Sequence, residues 1–125
     1  MTATRENDKR RRDAHAIFES ALAAADPGRC VARVVSSEDS HIRVCDERYD
    51  LARVSKIVVV GAGKATPAMA VSLEETLGER ISAGTINTKY GHALPLSYIE
   101  TVECGHPVPD VAGVRGTERM RRYLE

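Results

Sequence analysis

The chain has 125 residues, 42% hydrophobic and 4% aromatic, and its 18 Lys+Arg balance 18 Asp+Glu for a formal net charge of zero. That length supports one ordinary domain with a real core but is small for a complete two-substrate enzyme. The balanced charge argues against nucleic acid as a partner and against an acidic solvating tail. No stretch approaches the roughly 20 apolar residues that span a bilayer, and Cys30, Cys45 and Cys104 form no CxxC pair, which fits free thiols in the cytoplasm.

Residues 1–8 read as a polar, frayed start, and residues 1–13 as an extension preceding a domain at 14–125. Lys9, Arg10, Arg11 and Arg12 supply the solvated first turns of a helix; the following DAHAIFESALAAAD is broken by His15 and Glu19 and holds no signal-peptide core. Ala14, Ile17, Phe18, Ala21, Leu22 and Ala25 recur at three and four residues, the stripe of an amphipathic helix. Asp26-Pro27 stops it and starts another, with Asp as N-cap and Pro in the first turn, so GRCVARVV is expected to be helical with Cys30 and Val34 inward. SSEDS is expected as a loop, Ile42 and Val44 as a half-buried strand, and Tyr49, Leu51 and Val54 as packing residues before Lys56.

Residues 57–60, IVVV, are continuously apolar and β-branched, the pattern of a parallel strand buried on both faces. From Lys64 to Leu77 the period becomes helical, with Ala65, Met69, Leu73 and Leu77 on one stripe and Gly78 as the stop. AGTINT, residues 83–88, gives the next strand, KYGHALPLS an irregular crossing, and residues 99–103 a third strand, parallel or antiparallel. GHPVPD, residues 105–110, is too proline-rich for regular structure, and a helix follows from Val111. The expected fold is α/β: a Rossmann-like three-layer domain with a mostly parallel sheet and the N-terminal helices packed on it.

The turn GAGKAT, residues 61–66, fails two named phosphate motifs. A dinucleotide fingerprint needs glycine where Thr66 stands, and a Walker loop needs glycine at Val58 and Ser or Thr at Ala65. The physics common to both survives. Gly61 and Gly63 permit a sharp turn, the next helix offers free N–H groups, and Lys64 adds a positive charge where the helix dipole disfavours one unless an anion lies between. The plainer reading is a tight turn with a solvated lysine. Lys89, Tyr90 and His92 follow a strand, where ligands gather in open α/β sheets, and His106 and Asp110 follow another; each group can equally be loop structure. Cys104, His106, His92 and Asp110 match no standard zinc spacing, and Cys104 falls at a position an alternating strand buries.

Taken in order, the DP-led short helix, YDL, VVVGAGKATPAMA, KYGHALPL and ECGHPVPD resemble the N-terminal part of the glycerate 2-kinase family, whose members are often labelled hydroxypyruvate reductases. The resemblance runs from about Ala14 to the end. It implies transfer of the γ-phosphoryl group of ATP, with Mg²⁺, to the 2-hydroxyl of D-glycerate, in a cleft between two α/β domains. It also implies that Lys64 is the catalytic residue, that Gly61, Ala62 and Gly63 shape the anion pocket, and that Lys89, His92 and His106 belong to the cleft. Family members are much longer, so the expectation is half a cleft, an absent second domain, little activity alone, and self-association through the surface left open. The alternatives are an NAD(P)H-dependent hydroxypyruvate reductase and a non-catalytic interaction module. The reductase lacks an acidic residue about 20 residues past the glycines to hold a ribose, because Thr88, Lys89 and Tyr90 stand there.

Overall fold

The computed structural model of the chain describes residues 2–123 and 125. It opens with helix α1, Thr2–Ala24, and helix α2, Pro27–Val34. The expected frayed start is instead helical from Thr2, and α1 runs unbroken through position 13. Arg, Lys and Glu are good helix formers, and Glu6 pairs with Arg10 one turn on at 2.8 Å. The apolar stripe of α1 stays open: Ile17 is 71% and Phe18 59% exposed.

The Asp26 carboxylate accepts the N–H of Arg29 at 2.7 Å and caps α2 as the sequence indicates. The buried face of α2 differs from the expected one, since Cys30 is exposed and Val34 largely so, while Val31 is buried. The cause is the approach to the next helix: a Cβ on Gly28 would lie 3.1 Å from the carbonyl oxygen of Ala68, so the glycine side of α2, shared with Val31, makes the contact.

A small antiparallel sheet follows, β1 (Val35–Ser37), β2 (His41–Val44) and β3 (Glu47–Asp50), in the order β1-β2-β3. Ser36 and Ser37, expected in a loop, are therefore strand residues. Val44 pairs with Glu47 across a two-residue turn in which Cys45 takes a left-handed conformation, φ 54°. Ile42 is buried, whereas Val44 and Tyr49 remain largely exposed.

The main sheet is parallel, in the order β4-β5-β6, with β4 at Ile57–Ala62, β5 at Ile81–Lys89 and β6 at Glu100–Cys104. This resolves the direction of the third strand. It also corrects the reading of IVVV as buried on both faces: β4 is an edge strand, and Val60 is 47% exposed. The doubly buried strand is β5, in which every residue from Gly84 to Thr88 is buried.

Helix α3, Thr66–Leu77, begins two residues later than its periodicity suggests and ends at Gly78, φ 53°. Its buried residues include Ala70 and Leu77, while Met69 is 40% exposed. They join Ile42, Ile81, Ile86 and Ile99 in the core, with Leu73, Ile57, Val59 and Leu96 packed around. Side chains alternate along β5, so Ile86 faces α3 while Thr85 and Asn87 face the other way, toward helix α4, Val111–Arg122. There Asn87 Nδ2 donates to the carbonyl of Gly113 at 2.9 Å, and the Thr85 and Tyr123 hydroxyls meet at 3.2 Å. Helices thus cover both faces, giving the expected three layers.

Candidate functional site

Parallel strands direct their C-terminal ends to one rim, and in open α/β sheets that rim is where ligands bind. Here the rim encloses a cleft of about 240 Å³ lined by Ala62, Gly63 and Lys64 after β4, Asn87, Thr88 and Lys89 at the end of β5, Cys104, Gly105, His106 and Pro109 after β6, and Gly113 and Thr117 of α4. Two lysines and a histidine reach this wall, and among the described residues no carboxylate does.

The turn that carries Lys64 is tied at both ends. Gly63, φ 121°, donates its N–H to the carbonyl of Asn87 at 2.9 Å, and Thr66 N–H returns to the carbonyl of Gly63 at 3.1 Å. Positive φ suits glycine and strains other residues, so the turn depends on this one. Gly61 is needed for space: a Cβ there would lie 2.7 Å from Thr66 Cγ2, so its bareness lets the turn fold back on the strand. It lies outside the cleft lining. Ala65 precedes α3 without a side-chain cap, while the Thr66 N–H is taken by Gly63 and Pro67 has none to offer.

Of the residues proposed from sequence, the fold gathers Ala62, Gly63, Lys64, Lys89 and His106 around one space. His92 is not among the lining residues; its N–H closes a turn on the carbonyl of Lys89 at 3.1 Å, with Gly91 at φ 75°. Asn87, Thr88, Gly113 and Thr117 line the cleft and were not foreseen as site residues. Nothing in the one-dimensional pattern of AGTINT marks its last residues as lining, because the rim exists only once β4 and β6 flank β5.

Asp110 organises the loop that bears His106. Its Oδ1 accepts the N–H of Gly113 at 3.0 Å and caps α4, while its Oδ2 accepts the Tyr90 hydroxyl at 2.8 Å, tying the loop after β5 to the loop after β6. The Gly113 N–H, the Tyr90 hydroxyl and the Gly105 N–H together hold the Asp110 carboxyl below the ordinary carboxylate range. The hydrogen bond to Asp110 pushes the Tyr90 phenol up in turn. Burial, then the charge of Asp110, raises the Cys104 thiol, and Cys104 Sγ donates to the carbonyl of Thr88 at 3.4 Å. Cys104 is thus a buried wall residue whose environment favours the thiol over the thiolate.

Magnesium seeks carboxylate and phosphate oxygens in octahedral geometry. The cleft wall supplies no carboxylate, and among the described residues no group of three His, Cys, Asp or Glu could hold a metal ion. The residues present do not fit a resident Mg²⁺. They fit an anion.

The molecule is thus an α/β domain with two lysines and a histidine at the rim formed by the carboxyl ends of its parallel strands. Residues 13–125 match the family described as a domain of unknown function, DUF4147, and the chain belongs to that family. It is 35% identical over 104 residues to a protein of Pyrococcus horikoshii named glycerate 2-kinase, covering 83% of this chain and 23% of the relative. It is 37% identical over 84 residues to the D-glycerate 2-kinase of Thermotoga maritima, covering 66% and 20%. An Agrobacterium vitis protein whose name is that of a hydroxypyruvate reductase is 36% identical over 104 residues, covering 83% and 20%. A crystal structure of a Pyrococcus horikoshii OT3 protein superposes with a TM-score of 0.79 at 32% identity over 91% of this chain and 25% of that one. The Thermotoga maritima glycerate kinase superposes at 0.71, with 27% identity over 94% and 25%. The chain therefore spans a fifth to a quarter of the length of these relatives. Among the described residues no helix is long and apolar enough to cross a membrane.

Proposed function

We propose that this chain forms the Lys64 side of the active-site cleft of an ATP-dependent glycerate 2-kinase, with the remainder of the cleft supplied by sequence outside this stretch. The observation that carries the reading is the cleft wall: Lys64, Lys89 and His106 converge at the ends of three parallel strands, beside an uncapped helix start, with no opposing carboxylate among the described residues. In the reaction the 2-hydroxyl oxygen of D-glycerate bonds to the γ-phosphorus of ATP, the bond from that phosphorus to the bridging oxygen breaks, and ADP, 2-phosphoglycerate and the hydroxyl proton leave. Such transfer is mostly positioning and charge stabilisation. Lys64 is the catalytic residue in this reading, holding an anionic oxygen of the substrate or of the phosphoryl group. Lys89 and His106 flank it, and His92 acts only through its loop.

The cleft wall holds no ligand set for Mg²⁺, so no step is assigned to the ion here; its place is with the nucleotide. The hydride-transfer alternative has less support, because the residue at the end of β5, where a ribose-binding acid belongs, is Lys89.

The test is phosphorus NMR of ATP, Mg²⁺ and D-glycerate with the chain alone, with the chain plus the remaining portion of a full-length relative, and with Lys64→Ala in the same mixture. The expected result is 2-phosphoglycerate from the wild-type mixture only. Full turnover by the chain alone, or by the Lys64→Ala mixture, refutes the reading.

A further inference from the structure

Four buried side-chain oxygens among the described residues have no hydrogen-bond partner: Ser37 Oγ, Asn87 Oδ1, Thr88 Oγ1 and Thr101 Oγ1. Orphaned buried polar groups are uncommon in folded proteins and call for a reason in each case. Ser37 and Thr101 are only half-buried residues away from the cleft. Asn87 is explained by α4: its amide nitrogen is engaged with Gly113 and Thr117, and its Oδ1 fills the space left by the missing side chain of Gly116. Thr88 has no such account. It is 1% exposed, it lines the cleft, and its hydroxyl bonds to nothing among the described residues.

Position gives the hydroxyl a purpose. Alternation along β5 puts Thr88 on the same face as Ile86, the face covered by α3, and at the last buried step before the rim. That is the side on which the turn of Lys64 and the first turn of α3 lie. Backbone does not satisfy the hydroxyl there, and the cleft wall offers lysines and a histidine but no carboxylate to accept from it. An anionic oxygen would accept from both Thr88 and Lys64, with the Thr88 hydroxyl reaching it by rotation about χ1.

We propose that Thr88 is a ligand-binding residue that donates its hydroxyl to an anionic oxygen, phosphoryl or carboxylate, held in the cleft by Lys64. The inference rests on the anion-cleft reading above and adds to it a residue that neither the GAGK turn nor any lysine could reveal. An unpartnered hydroxyl in the interior is a cost to the fold that an isosteric valine removes. A ligand-binding threonine therefore trades stability for affinity, and the two effects of one substitution have opposite signs.

The experiment uses the 125-residue chain with inorganic phosphate and D-glycerate as separate probes, titrated by calorimetry or by amide chemical shifts, together with melting temperatures without ligand. Thr88→Val is expected to melt higher than wild type and to bind its probe about tenfold more weakly, the size of one hydrogen bond to a charged group. Thr88→Ser, which keeps the hydroxyl, is expected to retain binding. Loss with phosphate alone identifies a phosphoryl oxygen, and loss with D-glycerate alone a carboxylate. Unchanged affinity for both probes in a higher-melting Thr88→Val overturns the proposal, as does a lower melting temperature, which would mean that the hydroxyl serves the fold. Those results leave the anion cleft standing if Lys64→Ala still abolishes binding. A wild-type chain that binds neither probe removes the cleft reading, and this inference with it.

Discussion

The last part of the irregular crossing between β5 and β6 is held by the carboxylate of Glu74. Glu74 on α3 accepts the N–H of Tyr98 at 2.7 Å and of Ile99 at 2.9 Å on Oε1, and the N–H of Ser97 at 2.7 Å on Oε2. Ile99 is a buried core residue, so its register at the start of β6 depends on this clamp. Hydrogen bonds to a charged acceptor contribute about 1.5–3 kcal/mol each, but Ser97 and Tyr98 regain water when released, so the full sum of three is not lost. Glu74→Ala is expected to cost about 2–4 kcal/mol, nearly all from the partly buried Ile99 N–H and the loosened segment. Glu74→Gln keeps one neutral acceptor and is expected to cost about half as much. Urea unfolding followed by circular dichroism measures both, with the midpoint falling at unchanged slope, and amide exchange locates the change at residues 97–99. A Glu74→Ala midpoint equal to wild type, or unchanged protection of the three amides, refutes the clamp.

Four shorter expectations follow from other contacts. Gly116→Ala drives its new Cβ into Asn87 Oδ1 and dislodges the amide from Gly113 and Thr117, a loss of about 2–4 kcal/mol by thermal unfolding; wild-type stability would mean that Asn87 relocates freely. In a thiol-reagent titration at neutral pH, exposed Cys30 and Cys45 react at once and buried Cys104 only after denaturation; rapid reaction of all three contradicts the buried, raised thiol. Asp110 has a folded-state pKa below its unfolded value, so its contribution to stability is complete above the ordinary carboxylate range of about 4 and is lost as pH falls through the folded value. Asp110→Asn should flatten that acid limb, and an unchanged pH profile of melting temperature counts against the Gly113 and Tyr90 bonds. Finally, the free edge of β4 adjoins an apolar groove of about 530 Å³ lined by Val35, Ile42, Val44, Tyr49 and Val60 among others. Sedimentation should show concentration-dependent association that Val60→Lys reduces, and a monomer at every concentration excludes it.

Local signals carried much of this fold. Asp26-Pro27 named a helix start because capping is a two-residue device, and Gly78 named a stop because its φ is available to few other residues. The strand-turn-helix around GAGK was legible for the same reason, and with it the position of Lys64 in the turn. What was not legible depends on neighbours. IVVV has the composition of a central strand, yet whether it is central depends on which strands flank it, and here only β5 does. Among the short strands from Val35 to Asp50, β2 and β3 turn at Cys45, a residue with no turn signature of its own. Cys30 faces outward because Gly28 sets how α2 meets α3, which periodicity along α2 cannot express. Likewise Thr88 and Asn87 came to line the cleft only through the strands on either side of them.

The placement of the helices gives the edge of β4 its meaning. Connections between parallel strands are right-handed in nearly all proteins. The steps from β4 through α3 to β5, and from β5 through the crossing clamped by Glu74 to β6, both run on the α3 face and advance in one direction across the sheet. Helix α4 lies on the opposite face, against Thr85 and Asn87. A right-handed connection on that face advances the other way, so a parallel strand joined after α4 would meet the free edge of β4 and not that of β6. With such a strand in place IVVV would have the two neighbours its composition calls for, and β4 would be the point at which the strand order reverses. Open α/β sheets bind ligands in the crevice at that point. The GAGK turn stands at the carboxyl end of β4, so in that arrangement Lys64 would border the crevice.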